Sequence, residues 1–264
     1  MKKISRIITK IATLILAKAN QIYFAFAKSK VECNICHYKA NRLSSDFWHL
    51  YTKCPNCSSG LRRRLVLATF EHIEDFSFKK IIEGKSILHF APEKPLRNLI
   101  KQHTKSYKTA DLLMEGYFYG KLDYNIDISN MPVIEDESFD CVIACDVLEH
   151  VPDHIKGIKE VYRILKKGGH CIFTVPQRDH LKITHEDLSI TNPRDREKAF
   201  GQFDHWRIYG DDFSSFLEKC GFKVSIIDAN SFPKEVVERN VLFPPILSKK
   251  ENVTNFRKVF IGVK

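Results

Sequence analysis

Three features missing from the sequence limit what the protein can be. No apolar segment approaches the roughly 20 residues that a membrane-spanning helix needs, and the apolar run near the N-terminus covers only residues 11–17. The eight cysteines are too sparse in 264 residues for a scaffold held together by disulfides. With 44% apolar residues, the chain also lacks the composition of a disordered protein. We therefore expect a folded protein in a reducing, cytoplasmic compartment.

Acidic side chains are absent from the first 30 residues, which contain seven lysines and arginines. This arm carries most of the net charge of +10, so the rest of the chain need not bind nucleic acid. At the helical period of about 3.6 residues, one face of the arm collects apolar side chains, namely Ile4, Ile7, Ile8, Ile11, Ile15, Ile22 and Phe26. We predict a basic amphipathic helix over residues 1–29.

The apolar face of this helix is expected to have a partner. Basic amphipathic helices bind anionic membrane surfaces, which here would place the protein peripherally at the inner membrane surface. The alternative is that residues 1–28 pack on the body of the protein or on a protein partner. A short signal peptide is a third interpretation, because a basic start, an apolar run and the small residues Ala17 and Ala19 fit its outline.

Two closely spaced cysteine pairs follow the arm. Cys33 and Cys36 are separated by 17 residues from Cys54 and Cys57. Two such knuckles supply four thiolates to a closed tetrahedral site, so we predict a structural zinc in a zinc-ribbon-like module over residues 30–60. A closed site leaves zinc no open position, and the module should therefore fold or recognise rather than catalyse. Residues 61–83 continue with a helical pattern, predicted to be a linking helix with its three arginines 62–64 exposed.

From residue 84 onward, strand-like and helix-like segments alternate. Apolar runs predict strands at 86–90, 107–112, 122–127, 139–145, 169–175, 222–228 and 256–263, and helical patterns lie near 94–103, 153–166 and 210–220. This alternation is typical of an α/β fold with a mostly parallel sheet covered on both faces. The last two strands are expected to pair antiparallel. The polar segment 176–209 is too long for a simple connection, which favours a functional role.

Glycine is missing from the first strand-to-helix loop, where nucleotide-binding α/β proteins usually carry it. The loop instead reads Ala91-Pro92-Glu93. About twenty residues later Asp111 ends the second strand, where an acid can accept hydrogen bonds from both hydroxyls of a ribose. Asp127 closes the third strand and could accept from an adenine amino group. The fourth strand ends at Cys145-Asp146, on the carboxyl edge where open α/β sheets bind ligands.

The order of several short stretches resembles a known family. "TADL", "DI", "FDCVIACDVLEHV" and "LKKGG" follow one another as in the class I S-adenosylmethionine-dependent methyltransferases, which residues 84–264 resemble. The later "FGQFDHWRIYGDDFSSFLEKCGF" is similar to a block of the methyltransferase type 11 group. The resemblance implies a seven-stranded Rossmann-like methyltransferase sheet and methyl transfer from S-adenosylmethionine.

The resemblance also implies cofactor-binding residues at the ends of the first four strands: His89, Phe90, Ala91, Glu93, Asp111, Leu112, Asp127, Ile128, Cys145 and Asp146. Asp111 would hold the ribose, Asp127 and Ile128 would contact the adenine, and Cys145-Asp146 would line the methionine end. The first loop departs from the family, because His89 replaces the usual acid and Ala91-Pro92-Glu93 replaces the glycines. S-adenosylmethionine has no phosphates, so a glycine-rich cradle is less necessary. Ala91 allows close approach, and Glu93 could meet the ammonium group.

Candidate catalytic residues are His150, His205 and Tyr209. His205 lies in the long segment that should cover the acceptor, where a neutral imidazole could take a proton from a hydroxyl. The alternative is a histidine that only packs this lid. Asp146, Glu149 and His150 resemble a run that binds a divalent metal in some O-methyltransferases, although the run is also common where no metal is needed.

The function expected from these features is methyl transfer from S-adenosylmethionine to oxygen or nitrogen of a small-molecule or glycan-type acceptor. One alternative is an RNA methyltransferase whose zinc ribbon, with Arg62, Arg63, Arg64 and Trp48, grips nucleic acid. The other is a non-catalytic binding module with a degenerate methyltransferase fold.

Overall fold

The computed structural model describes residues 2–112 and 121–264, and the side chains described in its first helix are those of residues 11, 12 and 14–24. No helix within these ranges is long and apolar enough to cross a membrane. The first helix, α1, spans Lys2–Phe26 as predicted. Next come two short antiparallel strands, β1 (Val31–Glu32) and β2 (Lys39–Ala40), which belong to the cysteine-containing module.

The apolar face predicted for α1 points to solvent where the structure describes it. Ile11, Ile15 and Ile22 are 52%, 62% and 67% exposed, respectively. Ala17 and Phe24, on a different face, are buried against the cysteine module. The alternative in which the predicted face packs on the body is therefore wrong for these three isoleucines. The other predicted members, Ile4, Ile7, Ile8 and Phe26, lie outside the described side chains.

The segment predicted as one linking helix is instead three short helices that belong to the core. These are α2 (Leu61–His72), a 3₁₀ turn (Glu74–Phe76) and α3 (Phe78–Ile81). Apolar residues of α2 and α3 pack on one face of the central sheet. The expectation that the three arginines of α2 are exposed is wrong, because Arg64 is completely buried and the side chains of Arg62 and Arg63 are only 17% and 24% exposed.

A seven-stranded sheet forms the centre of the protein, which confirms the predicted fold class. In chain order its strands are β3 (Ser86–Phe90), β4 (Ser106–Asp111), β5 (Tyr124–Asn125), β6 (Phe139–Cys145), β7 (Leu165–Thr174), β10 (Lys223–Ile227) and β11 (Val259–Val263). Their spatial order is β10-β11-β7-β6-β3-β4-β5. β11 lies between β10 and β7 and is antiparallel to both, while β5, β4, β3, β6 and β7 are parallel.

Helices connect and cover these strands. They are α4 (Lys94–Lys101), α5 (His154–Ile164), α6 (Pro193–Phe200), α7 (Phe213–Lys219) and α8 (Lys234–Asn240). The long polar segment before α7 contains α6 and a two-stranded ribbon, β8 (His185–Glu186) and β9 (Arg207–Ile208). The sequence did not predict α6 or α8. Asp153 caps α5 by accepting a hydrogen bond from the Lys156 backbone amide at 2.9 Å, as a residue before a helix commonly does.

Alternate residues of the central strands enter two different cores. Leu88 and Phe90 of β3 pack on the side of α5 and α7, while Ile87 packs on the side of α2, α3 and α4. The two-residue period of a strand therefore decides which side chains at a strand end can face a ligand on the α5 side. Strand β5 is shorter at both ends than the predicted 122–127, and a turn follows it in which Ser129 donates from its backbone and its hydroxyl to Asp127.

Because β11 lies between two other strands of the sheet, its glycine, Gly262, should not tolerate a larger side chain. A Cβ atom on Gly262 would lie 2.6 Å from the Cys171 sulfur and 2.9 Å from the Phe222 ring. We expect Gly262→Ala to lower the free energy of unfolding by about 1–3 kcal/mol through overpacking, measured by urea denaturation. The matched control is Gly157→Ala in α5, where the nearest side-chain atoms are at 3.4 Å. It should leave stability unchanged or raise it by up to about 1 kcal/mol, the gain of helix propensity. Equal stability of both variants would contradict this packing.

Candidate functional site

The glycine-free loop after β3 adopts the backbone conformation that favours glycine. Ala91 has a φ of 45°, and Asp146, directly after β6, has a φ of 51°. Both residues are in the left-handed region, which costs of order 1–3 kcal/mol for a residue with a side chain. Such strain is concentrated at ligand sites, and these two residues lie at neighbouring strand ends on one edge of the sheet.

A cavity opens at this edge, which we call the sheet-edge cavity. Its lining includes seven of the ten residues predicted to bind a cofactor: Phe90, Ala91, Asp111, Leu112, Asp127, Ile128 and Asp146. Val147, His150 and Asp204 complete one side of it. The carboxyl ends of β3, β4 and β6 and the turn after β5 thus bring together residues that are spread over 57 positions, from Phe90 to Asp146.

The structure places His89, Glu93 and Cys145 outside this cavity. His89 is completely buried on the opposite side of β3 from Phe90, and its Nδ1 lies 2.7 Å from the Tyr107 hydroxyl. Cys145 belongs to the core on the α2 side. Glu93 is held by Arg62 and Arg63, so the expected contact with an ammonium group has no support.

Two carboxylates of the sheet-edge cavity differ in their surroundings. Asp111 is partly buried, and burial raises its pKa to about 6, opposed by the Leu112 backbone amide and by the nearby His150. Asp127 already accepts two hydrogen bonds from Ser129, at 2.7 and 2.8 Å. Asp111 is therefore the carboxylate that gains most from new hydrogen-bond donors, such as the hydroxyls of a ligand.

A second and larger cavity, of about 450 Å³, lies beside the first. We call it the inter-module cavity, because its wall comes from the cysteine module, from α2 and from the α/β domain. The module contributes Trp48 and His49, and the C-terminal segment contributes Thr254 and Arg257. Asp146 and His150 line both cavities. A molecule in one cavity could therefore come close to a molecule in the other.

Asp146 is held between two arginines that the sequence did not single out for this role. Arg62 lies 2.6 Å and Arg257 3.2 Å from its carboxylate, and the Thr174 hydroxyl donates at 2.8 Å. Burial by itself would raise the pKa of Asp146, but Arg257 and Arg62 outweigh it and lower the pKa to about 2. Asp146 is therefore a fixed anion. Sequence periodicity could not reveal Arg257, because it is 111 residues away along the chain.

His150 and His205 meet, but Tyr209 lies elsewhere. The two imidazole rings are edge to face, with centroids 4.7 Å apart, and both line the inter-module cavity. Burial lowers the pKa of His205 to about 4; for His150 burial acts the same way, but hydrogen bonding to Asp204 outweighs it and raises the pKa. Tyr209 is completely buried in the core, and its hydroxyl pairs with His154 Nδ1 at 3.0 Å. Tyr209 therefore has no access to either cavity.

The four predicted zinc ligands form one cluster. Their sulfur atoms all lie within 4.8 Å of one another, with 3.7 Å between Cys33 and Cys57 and 3.6 Å between Cys36 and Cys54. Tetrahedral zinc with bonds of about 2.3 Å requires sulfur atoms about 3.8 Å apart, so the cluster fits the metal. His37 is on the exterior and is not in the cluster.

Arg64 ties this cluster to the rest of the protein. Its buried guanidinium donates to the carbonyl oxygens of Thr52 and Ser59 in the module, at 2.7 and 2.9 Å. It also donates to those of Asn240 and Val241 at the C-terminal end of α8, at 2.8 and 3.0 Å. Burial lowers the pKa of Arg64 and the neighbouring cysteines raise it, as expected for a cation beside a thiolate cluster.

Comparisons with known proteins point to the same region of the chain. Residues 97–173, which run from α4 to the end of β7, match a family model described as a methyltransferase domain, of the type 11 group. An uncharacterised protein of Methanocaldococcus jannaschii is 38% identical over 136 residues, which cover 48% of this chain and 56% of that protein. An uncharacterised protein of a Streptomyces fradiae transposon is 37% identical over 65 residues, 25% of this chain and 19% of its own length.

The chain thus spans about half of the length of one of these curated relatives and about a fifth of the length of the other. Among solved structures, an S-adenosylmethionine-dependent methyltransferase of Archaeoglobus fulgidus is similar, with 17% identity and a TM-score of 0.48 over 76% of this chain and 94% of that one.

The cysteine cluster predicts one zinc ion per chain. Protein purified without chelator should contain about one equivalent of zinc, measured by elemental analysis, and the four cluster thiols should react with a thiol reagent only after the metal is removed. Cys54→Ser should lose the zinc, whereas the control Cys220→Ser, at a half-buried cysteine outside the cluster, should keep it. Less than half an equivalent in the parent, with four reactive cluster thiols, would refute the site.

Proposed function

We propose that this chain, whose α/β domain is a class I S-adenosylmethionine-dependent methyltransferase domain of the type 11 group, transfers a methyl group to a small-molecule or glycan-type acceptor. The observation that carries the proposal is the pair of cavities that share Asp146 and His150. The methyl donor would occupy the sheet-edge cavity, and the acceptor would occupy the inter-module cavity.

The donor assignment follows from the polar groups of the sheet-edge cavity. Asp111 would accept hydrogen bonds from the ribose hydroxyls, and Asp127 with Ile128 would contact the adenine. Phe90 and Ala91 would allow the close approach that the family usually achieves with glycine, because Ala91 already has the left-handed backbone. Asp146 would lie at the methionine end. His89, Glu93 and Cys145 are dropped from the proposal, since they lie outside the cavity.

The bound donor would supply an electrophilic methyl carbon, whose bond to sulfur breaks as the bond to the acceptor oxygen or nitrogen forms. The chain itself would contribute mainly alignment of donor and acceptor. His150 lines both cavities and His205 lines the inter-module cavity, and these two remain the candidate catalytic residues. Tyr209 is not retained, because it is completely buried.

The size of the inter-module cavity supports a small acceptor. Pockets for small ligands typically have a volume of about 300–1,000 Å³, and this one has about 450 Å³. Its wall contains the ion pairs of Arg63 with Glu93 and of Arg257 with Asp146 together with the Trp48 ring, a polar lining that favours a polar acceptor. Trp48 and His49 come from the cysteine module, so bound zinc would shape the acceptor side of the site rather than the donor side.

The RNA alternative loses part of its basis. The arginines 62–64, expected to grip nucleic acid, instead bind Glu93, Asp146 and backbone carbonyls inside the protein. Retention on RNA that weakens steeply with salt would nevertheless favour that alternative over ours. The non-catalytic alternative predicts that S-adenosylhomocysteine does not bind at all.

Asp111 should be the strongest single contact to the donor. Hydrogen bonds to a charged group contribute about 1.5–3 kcal/mol each, and about 1.4 kcal/mol is a factor of ten in affinity. We therefore expect Asp111→Ala to weaken S-adenosylhomocysteine binding at least about tenfold, measured by calorimetry. The control Ala91→Gly should bind as well as the parent, since it only relieves a strained backbone. Unchanged binding by Asp111→Ala would show that the donor is placed wrongly.

The pH dependence of donor binding offers a second measurement on the same residue. Burial raises the pKa of Asp111 to about 6, and a protonated carboxyl accepts hydrogen bonds less well than a carboxylate. Affinity for S-adenosylhomocysteine should therefore fall as the pH decreases through about 6. In Asp111→Asn this loss of affinity at low pH should disappear. The variant therefore distinguishes protonation of Asp111 from protonation of His150, the other titrating group that faces it. A fall that persists in the variant would refute the assignment.

We also propose that α1 binds an anionic membrane surface. Ile11, Ile15 and Ile22 are exposed on one apolar face, which only Lys18 interrupts between them, and residues 1–30 contain seven basic residues and no acid. Apolar burial together with attraction to anionic lipid is the combination by which amphipathic helices bind membranes. An unidentified protein partner would need no such charge.

Neutral substitutions test this surface without changing its charge. Ile15→Gln combined with Ile22→Gln should abolish co-sedimentation with vesicles that contain phosphatidylserine, at low salt. The control Leu16→Gln removes an equally exposed apolar side chain from another face and should retain co-sedimentation. The parent should not sediment with neutral phosphatidylcholine vesicles. If the parent protein co-sediments with neither kind of vesicle, the membrane proposal is wrong and a protein partner is favoured instead.

A further inference from the structure

Three side chains with metal-binding atoms converge on the wall of the inter-module cavity. Glu149, His150 and His205 each offer an oxygen or nitrogen atom, and these atoms all lie within 4.8 Å of one another. The sequence grouped Asp146 with Glu149 and His150, but Asp146 is held by Arg62 and Arg257. The fold brings in His205 instead, from 55 residues beyond His150.

The Glu149 carboxylate is the part of this cluster that most needs a ligand. Its side chain is only 1% exposed, and its Oε2 atom has no hydrogen-bond partner in the described part of the chain. A buried carboxylate oxygen without a partner is costly, because it has lost water and gained nothing in exchange. A cation in the cluster would supply the missing interaction.

Both histidines are oriented as metal-ligating histidines usually are, with one ring nitrogen bound to a second group. His150 Nδ1 lies 3.2 Å from the Asp204 carboxylate, while its Nε2 lies 3.9 Å from Glu149 Oε1. His205 Nδ1 faces the Phe200 carbonyl oxygen at 3.3 Å, which fits a protonated Nδ1 and leaves the Nε2 lone pair for a ligand. These partners fix the rings and favour the required tautomers.

We propose that Glu149, His150 and His205 bind one divalent transition-metal ion, in addition to the zinc of the cysteine cluster. Two imidazoles and one carboxylate suit Mn²⁺, Fe²⁺, Co²⁺ or Zn²⁺, whereas Mg²⁺ and Ca²⁺ prefer oxygen ligands. Three protein ligands leave coordination positions open toward the inter-module cavity. There the ion would bind an oxygen or nitrogen of the acceptor, a consequence that rests on the proposed function although the metal site itself does not.

Mn²⁺ is the probe that separates this site from the cysteine cluster, since four thiolates select softer metals. Zinc-loaded protein should bind about one Mn²⁺ per chain, measured by loss of the free-ion electron paramagnetic resonance signal. Spin-echo modulation from imidazole nitrogen should accompany the bound ion, and excess Zn²⁺ should displace it. The proposal is wrong if the parent protein does not bind Mn²⁺. It is also wrong if the bound Mn²⁺ shows no spin-echo modulation from imidazole nitrogen, and neither result requires a variant.

Variants then assign the ligands. Glu149→Gln and His205→Gln should each weaken Mn²⁺ binding at least about tenfold while keeping the zinc of the cysteine cluster. His49→Gln is the matched control, because His49 lines the same cavity outside the cluster, and it should bind Mn²⁺ like the parent. Equal affinity in Glu149→Gln, or an equal loss in His49→Gln, would overturn the assignment. S-adenosylhomocysteine binding, measured in parallel, reports separately on the proposed function.

Discussion

The arginines of α2 hold together the parts of the protein on which the site depends. Arg62 binds Glu93 in the loop after β3 and Asp146 after β6, so one side chain links two strained strand ends. Arg64, two residues further on, binds carbonyl oxygens of the cysteine module and of the segment after α8. Arg62 and Arg64 are desolvated, which is tolerable only because each guanidinium is matched by several acceptors. Without these contacts the inter-module cavity would lose one wall.

This linkage places the cysteine module on the wall of the inter-module cavity, where the proposed function would give it a role in binding the acceptor but none in the reaction itself. A small module of this kind owes most of its folding free energy to bound metal. Its residues Trp48 and His49 line the inter-module cavity, whereas the lining of the sheet-edge cavity includes no residue before Phe90. Under the proposed function, metal binding in the module would therefore affect acceptor recognition, whereas donor binding would depend on the sheet.

The glycine-free loop shows how one backbone requirement can be met by a different residue. Ala91 adopts a positive φ that glycine would adopt without strain. The strain of about 1–3 kcal/mol must be offset by contacts of the surrounding structure. These include the hydrogen bond that the Ala91 backbone N–H donates to the Ala110 carbonyl at 3.0 Å and the ion pairs of Glu93. The loop thus keeps the backbone conformation of a ligand-binding turn. Glu93 helps to hold this conformation through its ion pairs, although its side chain does not line the cavity.

The sequence by itself determined the α/β fold, the cysteine cluster and the carboxylates at the strand ends. These features follow from local signals in the sequence, which can be recognised without a structure. The signals are the spacing of apolar residues, the spacing of the cysteine pairs and the acidic residues at strand ends, such as Asp111. Only the tertiary structure decided that His89 and Cys145 face the other core, because a one-residue step along a strand reverses the side chain. It alone also showed that Arg257 reaches Asp146 and that His205 joins Glu149. Those contacts join residues more than 50 positions apart, and no local pattern in the sequence encodes such a distance.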